Sequence, residues 1–353
     1  MKDLSTYLPD IISQAQSADT EPLRQFLLKD SRAPLVATGS GGALAAADFA
    51  ALLYGTRDGI ATAVSPYTMN SLSDAALASS KVLLVSKGGH NNDVVFAAKR
   101  SLGVNPACTA SLTLSTGEGN EVRKAFLKAG APVSIDLPMT VHEGFVPSGT
   151  PLAFFALLAR AFDRDCDLGR FSEVPEQPYR SVLADGTALP DRGLKGIRSF
   201  TILHGGWGRP VAVCLEGKLT ESGLAQATVS DFRNYCHGRF IHTSNHLEDT
   251  AVVMLVTPRE RDLAERIRKF LPDRTRLFVV ETPEDSPAAS LDLLIRSTAL
   301  FEDLCAAEGT NPDCPPNPGR IDKRIPIWIP FIKAMKDSGP LGQWSLKLHA
   351  GGT

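Results

Sequence analysis

Residues 34–54 read PLVATGSGGALAAADFAALLY, and this stretch decides the predicted fold of the N-terminal half of the chain. Leu35–Thr38 is a short apolar run with the length of a buried strand. The alanine-rich segment that ends near Tyr54 has the composition of a helix. A strand, a Gly/Ser loop and a helix in this order form an anion site, because the free N–H groups at the start of the helix point into the loop.

The same alternation of strands and helices continues to about residue 165. GIATAVSP (from Gly59) and KVLLVSKGG (from Lys81) predict the next two strands, and VVFAAKRSL predicts the helix after them. ACTASLTLS and APVSIDLP predict two more strands with a helix between them, and SGTPLAFFALLARAFDR predicts a long apolar helix. The order βαβαβαβαβα predicts an α/β fold with a parallel, doubly wound sheet flanked by helices.

A second α/β series occupies the C-terminal half. SFTILHGGWG predicts a strand that ends in glycines, TAVVMLVTP and RLFVVETP predict two more, and helices are expected at 260–270 and 288–307. The repeated order indicates an internal duplication, and 353 residues suit two domains of about 150 residues each. We therefore predict N-terminal helices packed outside the first sheet (1–30), a first domain (31–165), a linker (166–198), a second domain (199–325) and a C-terminal tail (326–353).

Composition and charge narrow the class of protein. Hydrophobic residues make up 43% of the chain and charged residues 22%, which is typical of a globular protein. A net charge of −2 gives no reason to expect nucleic acid or an anionic membrane as a partner. The six cysteines show no CxxC spacing and predict reduced thiols. The N-terminus lacks a signal-peptide pattern and no apolar run could span a bilayer, so we expect a cytoplasmic protein. We expect neither a cofactor nor a metal.

Two polar loops at the ends of predicted strands are candidate ligand sites. Ligands of open α/β sheets bind at the carboxyl ends of the strands, where both loops lie. In a second interpretation they are tight turns that need glycine for steric reasons alone. Neither loop contains GxGxxG or GxxxxGK[ST], which disfavours a nucleotide-dependent oxidoreductase. The candidate binding residues are Gly39, Ser40 and Gly41 in the first loop and Ser86, Lys87, Gly88 and Asn91 in the second.

Residues 215–238, LEGKLTESGLAQATVSDFRNYCHG, carry the residue types of proton transfer. Lys218 and Glu221 stand three residues apart, on one face of a predicted helix. His237 is followed by Gly238, which allows a sharp turn of the backbone. A base, a cation and an imidazole can move a proton between adjacent carbons of a sugar. The alternative is an exposed charged helix followed by a loop histidine.

The remaining polar residues allow more than one interpretation. Glu143 and Ser148 precede a predicted helix, and Ser148 either caps that helix or contacts a ligand. His242 and His246 are spaced i, i+4, but their segment has the pattern of a strand and loop, so no metal site is predicted.

With these motifs, residues 30–325 resemble the sugar isomerase (SIS) family in its two-domain form. This form includes the isomerase half of glutamine–fructose-6-phosphate aminotransferase and stand-alone sugar-phosphate deaminases and deglycases. Ala37–Gly42 matches the family's CGTS-like loop, and Ser86–Asp93 matches its SxSGxTxD loop. Glu143 and Ser148 match the ExxxxS motif. Glu216–Glu221 matches the EGALKLKE helix, and His237-Gly238 matches the HG pair. The helix has two residues fewer between its glycine and lysine, but the lysine-to-glutamate spacing is kept.

The resemblance implies a catalytic role for four residues. Glu221 would be the base that moves the proton between C1 and C2 of an open-chain sugar, and Lys218 would stabilise the enediolate oxygen. His237 would help to open the sugar ring and would be contributed across a homodimer interface. The family's imine-forming lysine has its nearest candidate in Lys323.

The resemblance also implies the substrate contacts. Ser40, Ser86 and Asn91, with the loop amides, would hold a phosphate, and Glu143 would contact the sugar or a ring-opening water. Gly88 and Asn91 replace a serine and a threonine of the family motif, while Lys87 adds a charge and the Asn91 amide can still donate.

These residues together predict an enzyme with two SIS-type doubly wound domains that acts on an amino- or aminoacyl-sugar phosphate by aldose–ketose proton transfer. No glutamine-hydrolysing domain precedes residue 30, so deamination or deglycation is favoured over glutamine-driven synthesis. The alternative is a non-catalytic sugar-phosphate sensor. The retained Lys218, Glu221 and His237 favour the enzyme.

Overall fold

A computed structural model of the chain describes residues 3–29, 33–57, 59–131, 133–141 and 144–315. Glu143, Lys323 and the predicted tail (326–353) lie outside these residues. The described chain divides into two compact units. Residues 21–138 form one unit, and residues 3–20 together with 139–315 form the other.

Each unit contains one five-stranded sheet. The strands are β1 (Leu35–Gly39), β2 (Ala61–Val64), β3 (Lys81–Ser86), β4 (Thr109–Thr113), β5 (Val133–Asp136), β6 (Arg180–Leu183), β7 (Ser199–His204), β8 (Gln226–Asp231), β9 (Thr250–Val256) and β10 (Arg276–Glu281).

The helices connect these strands and flank the sheets. They are α1 (Leu4–Ser17), α2 (Glu21–Leu28), α3 (Gly42–Gly55), α4 (Pro66–Met69), α5 (Asp74–Ala78), α6 (Asn92–Val104), α7 (Glu121–Ala129), α8 (Gly149–Phe162), α9 (Arg209–Glu221), α10 (Phe232–Asn234), α11 (Phe240–Asn245), α12 (Arg261–Phe270) and α13 (Ala288–Glu308). Over the ranges given above, no helix combines the length and the apolar character needed to cross a membrane.

The first sheet has the order β2-β1-β3-β4-β5, and all of its strands are parallel. Every residue of β1, β3 and β4 is buried, as expected for central strands covered by helices on both faces. Leu84, Val94 and Phe126 belong to the apolar core formed with α6 and α7. The prediction of a parallel doubly wound sheet is confirmed.

The second sheet has the order β6-β10-β9-β7-β8. Strands β7 to β10 are parallel, and β6 pairs with β10 in the antiparallel direction. Read from its other end, β8-β7-β9-β10 repeats β2-β1-β3-β4 of the first sheet. The sequence analysis misses β8, because QATVSD is half exposed and offers only short polar–apolar alternation.

Two structural predictions differ from the observed fold. The stretch expected to be a linker (166–198) contributes β6 to the second sheet. Helix α1 packs against α8 in the unit of the second sheet, so the prediction that it covers the first sheet is wrong. The reason is the apolar match: α1 buries Leu8 and Ile12 on one stripe, and α8 is apolar on nearly all sides and needs such a cover.

Candidate active site

The loop between β1 and α3 contains Gly39, Ser40 and Gly41. A Cβ atom on Gly39 would lie 2.5 Å from the carbonyl oxygen of Ala43, so only glycine lets the first turn of α3 approach the strand this closely. No side chain caps the N-terminus of α3. The Ser40 hydroxyl has no hydrogen-bond partner among the residues that the structure describes. This loop therefore keeps donors available for an anion.

The loop between β3 and α6 uses two of its predicted binding residues to hold its own shape. The buried Ser86 hydroxyl accepts a hydrogen bond from the N–H of Gly89 at 3.2 Å. Asn91 caps α6, because its Oδ1 accepts from the N–H groups of Asp93 (3.0 Å) and Val94 (3.2 Å). The Asn91 NH₂ group has no partner within the described part of the chain, so this residue can still donate to a ligand.

Strand pairing brings these two loops together. β1 and β3 are parallel neighbours, and Gly39 is paired with Val85. The loops that follow them therefore leave the same edge of the sheet side by side. The two loops are therefore adjacent, while the assignment of a phosphate to them stays a prediction.

His90 is a residue of this loop that the sequence analysis leaves without a role. A Cβ atom on Gly88 would lie 2.5 Å from Nδ1 of His90, so the imidazole occupies the space that a serine side chain at position 88 would need. The substitution in the family motif is thus accompanied by an exposed imidazole at the same place. No sequence pattern indicates this contact, because the two residues meet only through the shape of the loop.

Lys218 lies deep in the other unit, with only 3% of its surface exposed. Its ammonium donates to the Ser148 hydroxyl at 2.6 Å and to the carbonyl oxygen of Pro147 at 3.0 Å. The ammonium also lies 5.2 Å from the ring centroid of Phe301, a cation–π distance. Lys218 is therefore held at one position by three different groups.

Ser148 occupies the N-cap position of α8 but does not cap it with its side chain. Of the two alternatives considered for Ser148, simple capping is wrong, because its hydroxyl accepts from Lys218 instead. The ammonium consequently lies at the N-terminus of α8, where the helix dipole adds further positive potential. A buried cation at a helix N-terminus is a strong attractor for an oxyanion.

Glu221 ends α9, one turn beyond Lys218. The residue as a whole is exposed, but desolvation of its carboxyl group raises its pKa above the ordinary value, and Glu216 raises the pKa further. The charge of Lys218 opposes this shift and lowers the pKa. The carboxylate has no hydrogen-bond partner within the described residues. A free carboxylate with a raised pKa is a stronger base than an ordinary glutamate.

His237 lies in a tight turn after β8 (Tyr235–Arg239), where Gly238 adopts φ = 111°. This φ confirms the predicted sharp turn, since a side chain at that φ would be strained. His237 is exposed. Because α9 returns from the carboxyl end of β7 to the amino end of β8, Glu221 and His237 leave opposite edges of the sheet, roughly 20 Å apart along β8. In one chain they do not form a single cluster.

Glu302 on α13 is an ionisable residue near Lys218 that the sequence analysis misses. Its carboxylate accepts from the N–H of Leu4 at 3.1 Å and from the Tyr7 hydroxyl at 3.4 Å. Burial raises the pKa of Glu302 to about 7, while the Leu4 hydrogen bond and the charge of Lys218 lower it. The partners lie almost 300 positions away in the sequence, so no local pattern could reveal this contact.

Within the described ranges, no group of three or more His, Cys, Asp or Glu side chains is arranged to bind a metal ion. The His242 and His246 rings lie 4.6 Å apart. The predicted strand and loop around them is wrong, because His242 lies on α11 and His246 ends it.

Known proteins resemble this chain in structure. No protein-family model and no curated protein matches it. Glucosamine-6-phosphate deaminase from Thermotoga maritima is 17% identical, with a TM-score of 0.61 over 87% of this chain and 98% of that chain. Tagatose-6-phosphate ketose/aldose isomerase from Escherichia coli is 15% identical, with a TM-score of 0.60 over 90% of this chain and 96% of that chain.

A third similar structure is the C-terminal domain of glucosamine-fructose-6-phosphate aminotransferase from Francisella tularensis. It is 12% identical, with a TM-score of 0.55 over 87% of this chain and 95% of that chain. At such identities the similarity establishes the fold. Together with the two doubly wound sheets, it shows that this chain has the fold of the sugar isomerase (SIS) proteins.

Proposed function

We propose that this protein is a sugar-phosphate isomerase-type enzyme that acts on an amino- or aminoacyl-sugar phosphate. The observation that carries the proposal is the relation between Lys218 and Glu221. A buried ammonium at the N-terminus of α8 stands one helical turn from a carboxylate that has a raised pKa and no partner among the described residues. This combination of a base and a fixed cation is suited to aldose–ketose proton transfer.

In the proposed mechanism the Glu221 carboxylate takes the proton from C2 of the open-chain aldose. The electron pair of the broken C–H bond moves toward the carbonyl oxygen and forms an enediolate or an enediolamine. Lys218 stabilises the developing negative charge on that oxygen. Glu221 then returns the proton to C1, while the proton of the C2 hydroxyl passes to the C1 oxygen as the C2 carbonyl forms, which gives the ketose. With an amino-sugar substrate, the same proton transfer converts the carbon–nitrogen single bond into an imine. Water, rather than glutamine, is the co-reactant: it adds to the imine carbon, the carbon–nitrogen bond breaks, and the products are the sugar carbonyl and the free amine.

The remaining roles of the proposal are supported by the loops and the turn described above. Ser40, Asn91, Lys87 and His90 are assigned to the phosphate of the substrate. His237 of a second copy is assigned to ring opening in a cytoplasmic homodimer, because Glu221 and His237 of one chain leave opposite edges of the sheet. The names of the similar structures, a glucosamine-6-phosphate deaminase and a tagatose-6-phosphate isomerase, support phosphorylated sugars as the substrate class.

Proton NMR in D₂O tests the proposal. Wild-type protein is incubated with glucose 6-phosphate, fructose 6-phosphate, tagatose 6-phosphate, glucosamine 6-phosphate and a glycated amino-acid phosphate. We expect exchange of the C2 proton of an aldose, or of one C1 proton of a ketose, for deuterium. Line broadening without exchange in any sample would show a sugar-phosphate sensor instead and would contradict the enzyme.

A further inference from the structure

A cavity of about 490 Å³ lies at the carboxyl-terminal edge of the second sheet. His204 and Gly205 line it at the end of β7, Asp231 at the end of β8, and Glu260 beyond the end of β9. None of the described residues assigned above to catalysis or substrate binding lines it. Its volume is within the range of small-molecule sites.

The position of the cavity in the sheet is one at which α/β proteins bind ligands. β7 and β9 are neighbours in the sheet, and the chain continues from β7 to β8 on one side and from β9 to β10 on the other, so the connections that follow β7 and β9 diverge and leave a crevice. In the first sheet the equivalent position lies after β1 and β3, where the two glycine loops meet. The duplicated fold thus contains this crevice twice, and the crevice of the second sheet is lined by different residues from that of the first.

Two guanidinium groups of this lining have no partner in the part of the chain that the structure describes. Within the described residues, the side chains of Arg233 and Arg266 form no hydrogen bond or ion pair. Arg259, the third arginine of the lining, is instead paired with Asp285 at 2.6 Å. Arg233 and Arg266 are therefore the cationic donors that remain available to a ligand.

Two of the three acidic groups of the lining are already engaged within the protein. The Asp231 carboxylate accepts from the N–H groups of Arg233 (3.0 Å) and Asn234 (2.8 Å). Glu260 accepts from the N–H of Thr257 at 3.2 Å and fills the space next to Gly205, where a Cβ atom would lie 2.0 Å from its Oε1. The remaining acid, Asp262, can accept from a hydroxyl group.

We propose that this cavity binds a small phosphate monoester of a polyol, as a site additional to the substrate site. The guanidinium groups of Arg233 and Arg266 bind the phosphate, because their fork of donors matches its oxygen atoms. The Asp262 carboxylate accepts from the hydroxyl groups. The site requires no chemistry at Glu221 and is independent of the proposed reaction.

Equilibrium dialysis at constant ionic strength tests this site with two probes, orthophosphate and glycerol 3-phosphate. Glycerol 3-phosphate has no carbonyl group, so aldose–ketose chemistry cannot consume it. We expect the wild type to bind two molecules of glycerol 3-phosphate per chain, and the Arg233→Ala/Arg266→Ala double variant to bind one. Removing both guanidinium groups should weaken binding at this site at least about tenfold, the usual effect of losing charge-assisted hydrogen bonds.

Matched variants separate this site from the substrate loops. Arg274→Ala removes an exposed guanidinium outside the cavity and should leave both sites intact. Arg233→Lys/Arg266→Lys keeps the charge but not the fork of donors, and should bind with intermediate affinity. Lys87→Ala/His90→Ala should weaken only the first site. Circular dichroism confirms that each variant is folded.

The outcomes separate the two assignments. Glycerol 3-phosphate binding that is the same in wild type and in the Arg233→Ala/Arg266→Ala variant would overturn the second site and leave the proposed function untouched. Binding that is lost in this variant but unaffected by Lys87→Ala/His90→Ala would support the cavity and contradict the loops as the phosphate site. If orthophosphate binds at the cavity and glycerol 3-phosphate does not, the proposal that the ligand is a phosphate monoester is wrong.

Discussion

The ammonium of Lys218 donates a hydrogen bond of 2.6 Å to the hydroxyl of Ser148, at the N-terminus of α8. Lys218 and Ser148 belong to two different sequence motifs. Their contact gives the serine a function that neither motif indicates, because it fixes the ammonium at the positive end of the helix dipole. An oxygen atom that becomes negative beside this ammonium would be stabilised without any movement of the protein.

Ser148→Ala should therefore lower kcat by about tenfold and leave KM nearly unchanged, since the variant loses the position of the ammonium rather than a substrate contact. Ser148→Thr keeps a hydroxyl and should restore most of the rate. Thr220→Ala, an exposed change on α9, the helix that carries Lys218, is the control. A Ser148→Ala enzyme with wild-type kcat would show that the hydrogen bond does not position Lys218.

Glu221→Gln should abolish deuterium exchange and leave ligand affinity within a few fold, because binding and proton transfer use different groups. In the wild type the base must be ionised. Its pKa is raised, so the exchange rate should fall as the pH decreases through a value above that of an ordinary glutamate. Exchange that persists in Glu221→Gln would remove this residue from the mechanism.

Mixing two inactive variants tests whether His237 acts across a dimer interface. If Glu221→Gln and His237→Asn chains reassort into mixed dimers, one of the two sites in each mixed dimer contains both native residues. About a quarter of all sites should then regain activity. Each variant alone serves as the control. A mixture that reassorts but stays inactive would place His237 in the same site as the Glu221 of its own chain, or outside catalysis.

His90→Ala should weaken binding of a sugar phosphate several fold, because the imidazole lies where the family motif has a serine side chain. His90→Ser/Gly88→Ser would place a hydroxyl at position 88 again and should recover part of the affinity. Isothermal titration with an unreactive phosphate ester measures both effects. If the affinity of His90→Ala is unchanged, His90 does not contact the phosphate, and only the other donors of the two loops can bind it.

Glu302→Gln should change the pH dependence of stability. The folded-state pKa of about 7 exceeds the ordinary value of 4.5, so the folded protein binds more protons than the unfolded chain between these pH values. The contribution of Glu302 to stability is therefore favourable at low pH and is lost as the pH rises through about 7. The Glu302→Gln variant should lack this loss.

Thermal unfolding between pH 5 and about 8 checks this prediction. Relative to wild type, Glu302→Gln should gain in Tm toward the upper end of this range. Glu308→Gln, an exposed change on the same helix, should track the wild type. Parallel curves for wild type and Glu302→Gln would show that the carboxyl group is ionised throughout.

Local sequence patterns determined most of the secondary structure, the parallel first sheet, three of the four parallel strands of the second sheet and the positions of the glycine loops. Buried strands such as β3 and β9 are continuous apolar runs, and a glycine such as Gly238 is required by a backbone angle, so each can be recognised from its neighbours in the chain. The spacing of Lys218 and Glu221 was visible for the same reason.

Only the tertiary structure decided where these groups lie and what surrounds them. Lys218 is buried against Ser148, α1 covers α8, and Glu302 binds the first turn of α1, although these partners are far apart in the sequence. Burial and the direction of a crossover helix are properties of the packed sheet. They set the pKa of Glu302 and send Glu221 and His237 to opposite edges, and no local pattern encodes either.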